Sequence, residues 1–243
     1  MSIDRRTLAD IAQSSLAGVH VLERHGIDYC ADSARSLREV CIASNLNLEA
    51  ILEELSNAES ADLQDREWTT APLEEVIHFL AVIDHAHVRS ELQVLSVRLN
   101  AVLEEEERVN PALAQVPKIF SRLRDDLEAH MAYEEREVFP AIERYIRAAQ
   151  SGEPLKGSPL AAFGGPLRAM ETEHEAVDAA LRLMRNFAQN YEIPAGCSLR
   201  YRALLLGLRA LEESLLRHMY IENNVLYPRA AALKAARKPK LSV

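Results

Sequence analysis

Histidine and glutamate recur in this chain at a spacing that suits metal binding. His130-x3-Glu134 is echoed by His218-x3-Glu222, and a proline follows each glutamate six residues later, at Pro140 and Pro228. A further histidine precedes each pair: His85 stands 45 residues before His130, and His174 stands 44 before His218. The unit His…His-x3-Glu therefore occurs twice, offset by 88 to 89 residues. A spacing of four sets His and Glu on one face of a helix, one turn apart. Four helices in two pairs can then aim four imidazoles and two carboxylates at one point. That is a ligand set for a pair of metal ions inside a helix bundle.

Long helices must carry such a set, and four apolar stripes supply them. Thr70 before Ala71-Pro72-Leu73-Glu74 reads as a helix start with Pro72 in the first turn. Beyond it Ala81, His85, Val88, Leu92, Leu95, Leu99 and Val102 recur in steps of three and four. A second stripe runs Leu123, Leu127, His130, Glu134, Val138 and Ala141. The third is Leu167, Met170, His174, Val177, Leu181, Met184 and Ala188. The fourth is Leu204, Leu208, Leu211, Leu215, His218, Glu222 and Val225. Each is the core-facing stripe of a bundle helix. Loop signals fall between them, at Asn110–Pro111, over 151–165 and at 194–196.

The six candidate ligands lie inside these apolar stripes. A single histidine there is commonly a hydrogen-bonded core residue. Two glutamates are harder to place, because burying an unpaired carboxylate costs several kcal/mol or forces it to stay protonated. Metal coordination neutralises the carboxylates and uses neutral imidazole. A structural zinc site would be full with four ligands and would favour thiolates. Six ligands mixing nitrogen and oxygen fit two ions instead. If both carboxylates bridge, each ion receives two histidine nitrogens and two carboxylate oxygens. An oxo or hydroxo bridge adds a fifth ligand and leaves one position open per ion. Such a site suits iron, with manganese possible. An open position means binding of a small diatomic molecule, redox chemistry, or release of the metal. The remaining histidines, His20, His25, His78 and His87, have no counterpart in the second repeat and read as surface or structural residues.

Composition agrees with an all-α protein. The chain has 243 residues, few of them Gly (8) or Pro (10), and it is long enough to bury a sizeable core. A net charge of -9 argues against a nucleic-acid partner. No apolar stretch approaches a membrane span or a signal peptide, which predicts a soluble cytoplasmic protein without a membrane partner. Three cysteines, Cys30, Cys41 and Cys197, do not form a disulfide framework and read as thiols. The organisation expected is a small helical amino-terminal domain over 1–56, a polar linker over 57–70, a bundle over 71–236 and a tail over 237–243. Leu48, Ile51, Leu52 and Leu55 mark a short amphipathic helix in the first of these.

At these motifs the chain resembles the repair-of-iron-centres family, the YtfE/ScdA type, within the hemerythrin-like group. TAPLEEVIHFLAVIDHAHVRSEL from Thr70 looks like that family's first bundle helix, with His85 at its ligand position. LEAHMAYEEREVFP carries over His130 and Glu134, METEHEAV carries over His174, and RHMYIENNVLYPRA carries over His218 and Glu222. The resemblance covers nearly the whole chain. It implies a hemerythrin-like antiparallel four-helix bundle and two non-haem iron ions, carboxylate- and oxo-bridged. It also implies a cytoplasmic role in nitrosative and oxidative stress, with damaged iron–sulfur proteins as clients and nitric oxide or oxygen as small ligands.

The amino-terminal segment ERHGIDYC also resembles the family but departs at its end. The family continues there into a Cys-Cys pair, whereas Cys30 is followed by Ala31. A single thiol forms neither a local disulfide nor a bidentate thiolate site, so Cys30 is a candidate acting alone or with Cys41. Cys41 otherwise reads as a buried small apolar residue. The leading expectation is repair or protection of iron–sulfur clusters, by iron donation or handling of nitric oxide. Alternatives are a nitric-oxide or oxygen scavenger or sensor without turnover, and a di-iron nitric-oxide reductase or peroxidase. A repair, iron-handling or nitric-oxide-binding protein is favoured over a high-turnover enzyme. The oligomeric state is not legible.

Overall fold

A computed structural model describes residues 3–14, 16–29, 31–60, 68–106, 111–151 and 159–233. These fold as an all-α protein, and the one β-type pairing among the described residues is an isolated bridge between Thr7 and Ser36. Two compact units are formed. One gathers the described residues of Met1–Arg66, Leu95–Ala114 and Ala188–Ala210, the other those of Glu67–Val94, Gln115–Phe187 and Leu211–Val243.

The first unit opens with a short 3-10 turn, Ile3–Arg5, then α1 (Leu8–Ser14), α2 (Leu16–Arg24), α3 (Leu37–Ala43) and α4 (Leu48–Ser60). The sequence marks where α3 begins: the Ser36 side chain accepts from the Glu39 amide, and the Glu39 carboxylate accepts from the Ser36 amide. That reciprocal cap satisfies two amides that the helix itself leaves unpaired. The predicted amphipathic helix is α4, which runs on to Ser60, into the stretch read from sequence as linker. Leu8, Ile11, Leu22, Leu37, Ile51 and Leu55 form the core, and Ala203 joins them. Arg98 is buried here and pairs with Glu23 at 2.8 Å, while Glu23 also accepts from the Tyr29 hydroxyl at 3.0 Å. Gly207 makes room for this pair: a Cβ on it would stand 2.6 Å from Leu95 Cδ2 and 2.9 Å from Arg98 Nη1. A left-handed turn at Gln189, Asn190 and Tyr191 (φ 52, 55 and 57) precedes the loop through Gly196.

The second unit holds the candidate ligands. α5 (Leu73–His78) continues through a π-turn (Phe79–Asp84) into α6 (His85–Glu106), whose residues from Leu95 onward belong to the first unit. Pro72 flanks its start in an extended conformation, so the helix begins three residues beyond Thr70. Proline has no amide to donate, but its carbonyl accepts from Glu75 and Val76. α7 (Val116–Tyr133) continues through a π-turn (Glu134–Val138) into α8 (Phe139–Ser151). α9 spans Pro159–Phe187. It begins inside the stretch read as loop, because Pro159 occupies a first-turn position where a missing amide costs nothing. α10 (Leu199–Ile221), which belongs to this unit from Leu211 onward, passes through a third π-turn (Glu222–Leu226) into α11 (Tyr227–Ala231).

Each π-turn is closed by an amide that reaches five residues back: His85 to Leu80, Phe139 to Glu134 and Tyr227 to Glu222. The extra residue rotates everything after it by roughly 100° about the helix axis. The second stripe therefore shifts: Phe139, Ile142 and Ile146 are buried, whereas Ala141, expected in a straight stripe, is only partly so. Pro140 and Pro228 are each the second residue after a π-turn, where the helical ladder is already interrupted and a missing amide is tolerated. Leu80, Ile77, Ile142, Ile221 and Leu226 are among the apolar side chains that pack this unit's core.

Candidate metal centre

The π-turns sit at the candidate ligands. Asp84 and His85 close the first, Glu134 opens the second and Glu222 opens the third. The wide turns aim these side chains inward, and all six candidates are buried, with Glu134 and Glu222 each 0% exposed. Ligand atoms of His85, Glu134, His218 and Glu222 lie within 4.8 Å of one another, and so do those of His130, Glu134, His174 and Glu222. The two carboxylates are common to both groups. Glu222 Oε2 is 3.1 Å from both His174 Nε2 and His218 Nε2. Glu134 Oε2 is 3.4 Å from His85 Nε2 and 3.5 Å from His130 Nε2. The Nε2 atoms of His130 and His174 are 3.1 Å apart.

Every one of the four histidines is held from behind by its Nδ1. His85 meets Glu135 at 2.8 Å, His218 meets Asp84 at 2.8 Å, His130 meets Glu173 at 2.7 Å, and His174 meets Asn223 at 3.0 Å. An Nδ1–H donated to an oxygen fixes the tautomer and leaves Nε2 as the lone-pair donor toward the centre. The supports follow the sequence repeat. Each is the chain neighbour of another candidate ligand: Asp84 precedes His85, Glu173 precedes His174, Glu135 follows Glu134 and Asn223 follows Glu222. Arg89 adds a further bond to Glu135 at 2.9 Å. Two aromatic rings flank the cluster at matching places after the π-turns. Phe139 stacks on His85 (centroids 5.8 Å apart, 25° between planes) and Tyr227 on His174 (6.5 Å, 9°). Only the tyrosine brings a hydroxyl, which donates to Glu134 Oε1 at 2.5 Å.

The metal-free electrostatics are uneven. Burial, and then the neighbouring Glu222 charge, push the Glu134 carboxyl above the usual range. Burial also acts upward on Glu222, but the His218 charge and the close approach of His174 outweigh it and hold that carboxyl well below the usual range. Burial works against the charged forms of His174 and His218, yet Glu222 raises both, His218 strongly. Burial, followed by the two carboxylate charges, pushes the Tyr227 hydroxyl well up, so it stays a donor.

These groups do not satisfy one another. His85 Nε2, Glu134 Oε2 and both oxygens of Glu222 are buried without a hydrogen-bond partner. Two buried carboxylates with unsatisfied oxygens, ringed by imidazole nitrogens, are costly without a cation among them. A non-haem metal ion that takes both nitrogen and oxygen ligands fits this donor set.

The other sequence candidates lie elsewhere. His78 and His87 are exposed, His25 pairs with Glu54 at 3.0 Å, and the side chain of His20 lies outside the described residues. Cys41 is buried in the core of the first unit, and burial raises its thiol, which makes it unreactive. Cys30 lies outside the described residues. Sequence reasoning missed Asp84, Glu135, Glu173, Asn223 and Tyr227. The signal was present in the acid–histidine pairs Asp84-His85 and Glu173-His174 and in Glu134-Glu135, because a residue beside an inward ligand sits at the helix flank.

Fold and site together define a helical-bundle protein whose buried His/Glu cluster fits a non-haem metal ion. Residues 78–230 match the Hemerythrin HHE cation binding domain, and the chain belongs to that family. Residues 4–59 match a second family, described as a Domain of Unknown function (DUF542). The chain is similar over nearly all its length to curated proteins named "Iron-sulfur cluster repair protein YtfE". That of Edwardsiella ictaluri is 29% identical, over 95% of this chain and 98% of its own. Those of Citrobacter koseri and Escherichia coli O157:H7 are 28% and 27% identical, each over 96% of this chain and 99% of theirs. No described helix is long and apolar enough to cross a membrane.

Proposed function

We propose that this chain holds two iron ions and uses them to protect or repair iron–sulfur clusters damaged by nitrosative or oxidative stress, by donating iron. His85 and His218 would hold one ion, His130 and His174 the other, and Glu134 and Glu222 would serve both. The observation that carries the reading is the buried cluster with all four Nδ1 atoms tied and the Nε2 atoms turned inward. Full-length similarity to the cluster repair proteins supplies the class of client. When bound, iron supplies redox capacity and coordination positions for a small molecule such as nitric oxide or oxygen. The protein's part is to present neutral imidazoles, to keep two carboxylates ionised and aimed at the metals, and to limit water around them. Four nitrogen and two carboxylate ligands lack the thiolates that retain an iron–sulfur cluster, which suits a store that gives up its metal.

The test uses an iron–sulfur enzyme inactivated by nitric oxide. Purified, iron-loaded protein should restore its activity, and a Glu134→Ala, Glu222→Ala double variant should not. No revival by fully loaded wild-type protein would overturn the repair reading, and stoichiometric capture of nitric oxide in the same assay would replace it with scavenging.

A further inference from the structure

The four histidine supports are alike in place and unlike in chemistry. His85 and His218 both donate to carboxylates, Glu135 and Asp84, at 2.8 Å. In the other half His130 donates to a carboxylate, Glu173, but His174 donates to the neutral amide oxygen of Asn223, at the longest of the four distances, 3.0 Å. A carboxylate behind an imidazole strengthens its other nitrogen as a metal ligand, and a neutral carbonyl does so less. Solvent access is unequal in the same sense. Asp84 is 3% exposed, whereas the Glu173 side chain is 50% exposed and Asn223 is also at the surface. Arg89 offsets part of the charge of Glu135, so the contrast is greatest between Asp84 on His218 and Asn223 on His174.

From these differences we infer that the two halves of the centre hold metal unequally, and that Asn223 makes the His130–His174 half the one that releases its ion first. Asn223 is a positioning residue that acts through His174. The inference rests on the two-ion reading above and says which ion is the donated one. The ion held by His85 and His218 then stays behind and keeps Glu134 and Glu222 in place for reloading.

The full chain, prepared metal-free, is loaded with iron(II) without oxygen and mixed with a chromogenic chelator. Wild-type protein should release iron in two phases of equal amplitude. Asn223→Asp should slow the fast phase by about tenfold and leave the slow phase in place. Asp84→Asn should quicken the slow phase alone. Asn223 is exposed, so aspartate is readily accommodated there, and a damaged fold would quicken release rather than slow it. Release of two ions in a single phase, or an unchanged fast phase in Asn223→Asp, overturns this inference alone. Loading with fewer than two ions overturns the two-ion reading and this inference with it.

Discussion

Replacing Tyr227 with phenylalanine removes one oxygen and keeps the ring on His174. The hydroxyl donates to Glu134 Oε1 at 2.5 Å, and burial keeps it protonated at neutral pH. A hydrogen bond to a charged group contributes about 1.5–3 kcal/mol. At about 1.4 kcal/mol per factor of ten, its loss should weaken metal binding roughly 10- to 100-fold. The metal-free protein should notice less, because burial and Glu222 already favour protonated Glu134, which needs the tyrosine less. Phe139, at the matching place in the first repeat, shows that a phenylalanine ring is accommodated beside a ligand histidine. The assay is competition for iron(II) against a chelator of known affinity, paired with thermal melts of the metal-free forms. Affinity within about twofold of wild type would refute the argument that Tyr227 fixes Glu134 for the metal. An equal loss of metal-free stability would show the hydroxyl to be structural.

Glu134→Ala and Glu222→Ala should each lower metal content far more than Glu137→Ala, since Glu137 is exposed; Glu135→Ala should fall between, because it supports His85. His87→Ala should leave metal content at the wild-type level by elemental analysis, because His87 points into solvent. The metal-free protein should lose thermal stability as pH rises above about 6.5, the ordinary histidine value, because His174 and His218 are raised in the fold and their stabilisation fades as they deprotonate. Iron-loaded protein should not show that decline, since its imidazoles are already neutral ligands. Gly207→Ala should cost about 1–3 kcal/mol by crowding Leu95 and Arg98, read as a lower melting temperature with unchanged metal content.

Much of this architecture was legible in the sequence, and the reasons are physical. The stripes through His174 and His218 keep the helical period, and every residue in them is buried. The duplicated His…His-x3-Glu spacing brought all six candidates together, because ligands one turn apart need only a helix to align them. The π-turns were not legible, since an extra residue in a turn leaves no mark on composition and shows only as the shift from Ala141 to Ile142. The supports were missed for a different reason. Asp84, Glu135, Glu173 and Asn223 lie beside the stripes, where sequence patterning assigns solvent-facing polar residues. Their partners are on other helices, 43 to 134 positions away, and only the fold joins them. The start of α9 at Pro159 shows a first-turn proline passing for a loop signal.

The central claim is that this buried cluster takes two ions. Metal-free protein titrated with iron(II) under anaerobic conditions measures it most directly. The signal should break at two equivalents per chain, and the Glu134→Ala, Glu222→Ala double variant should show no break. A wild-type break at one equivalent, or a double variant that still takes two, would contradict the account.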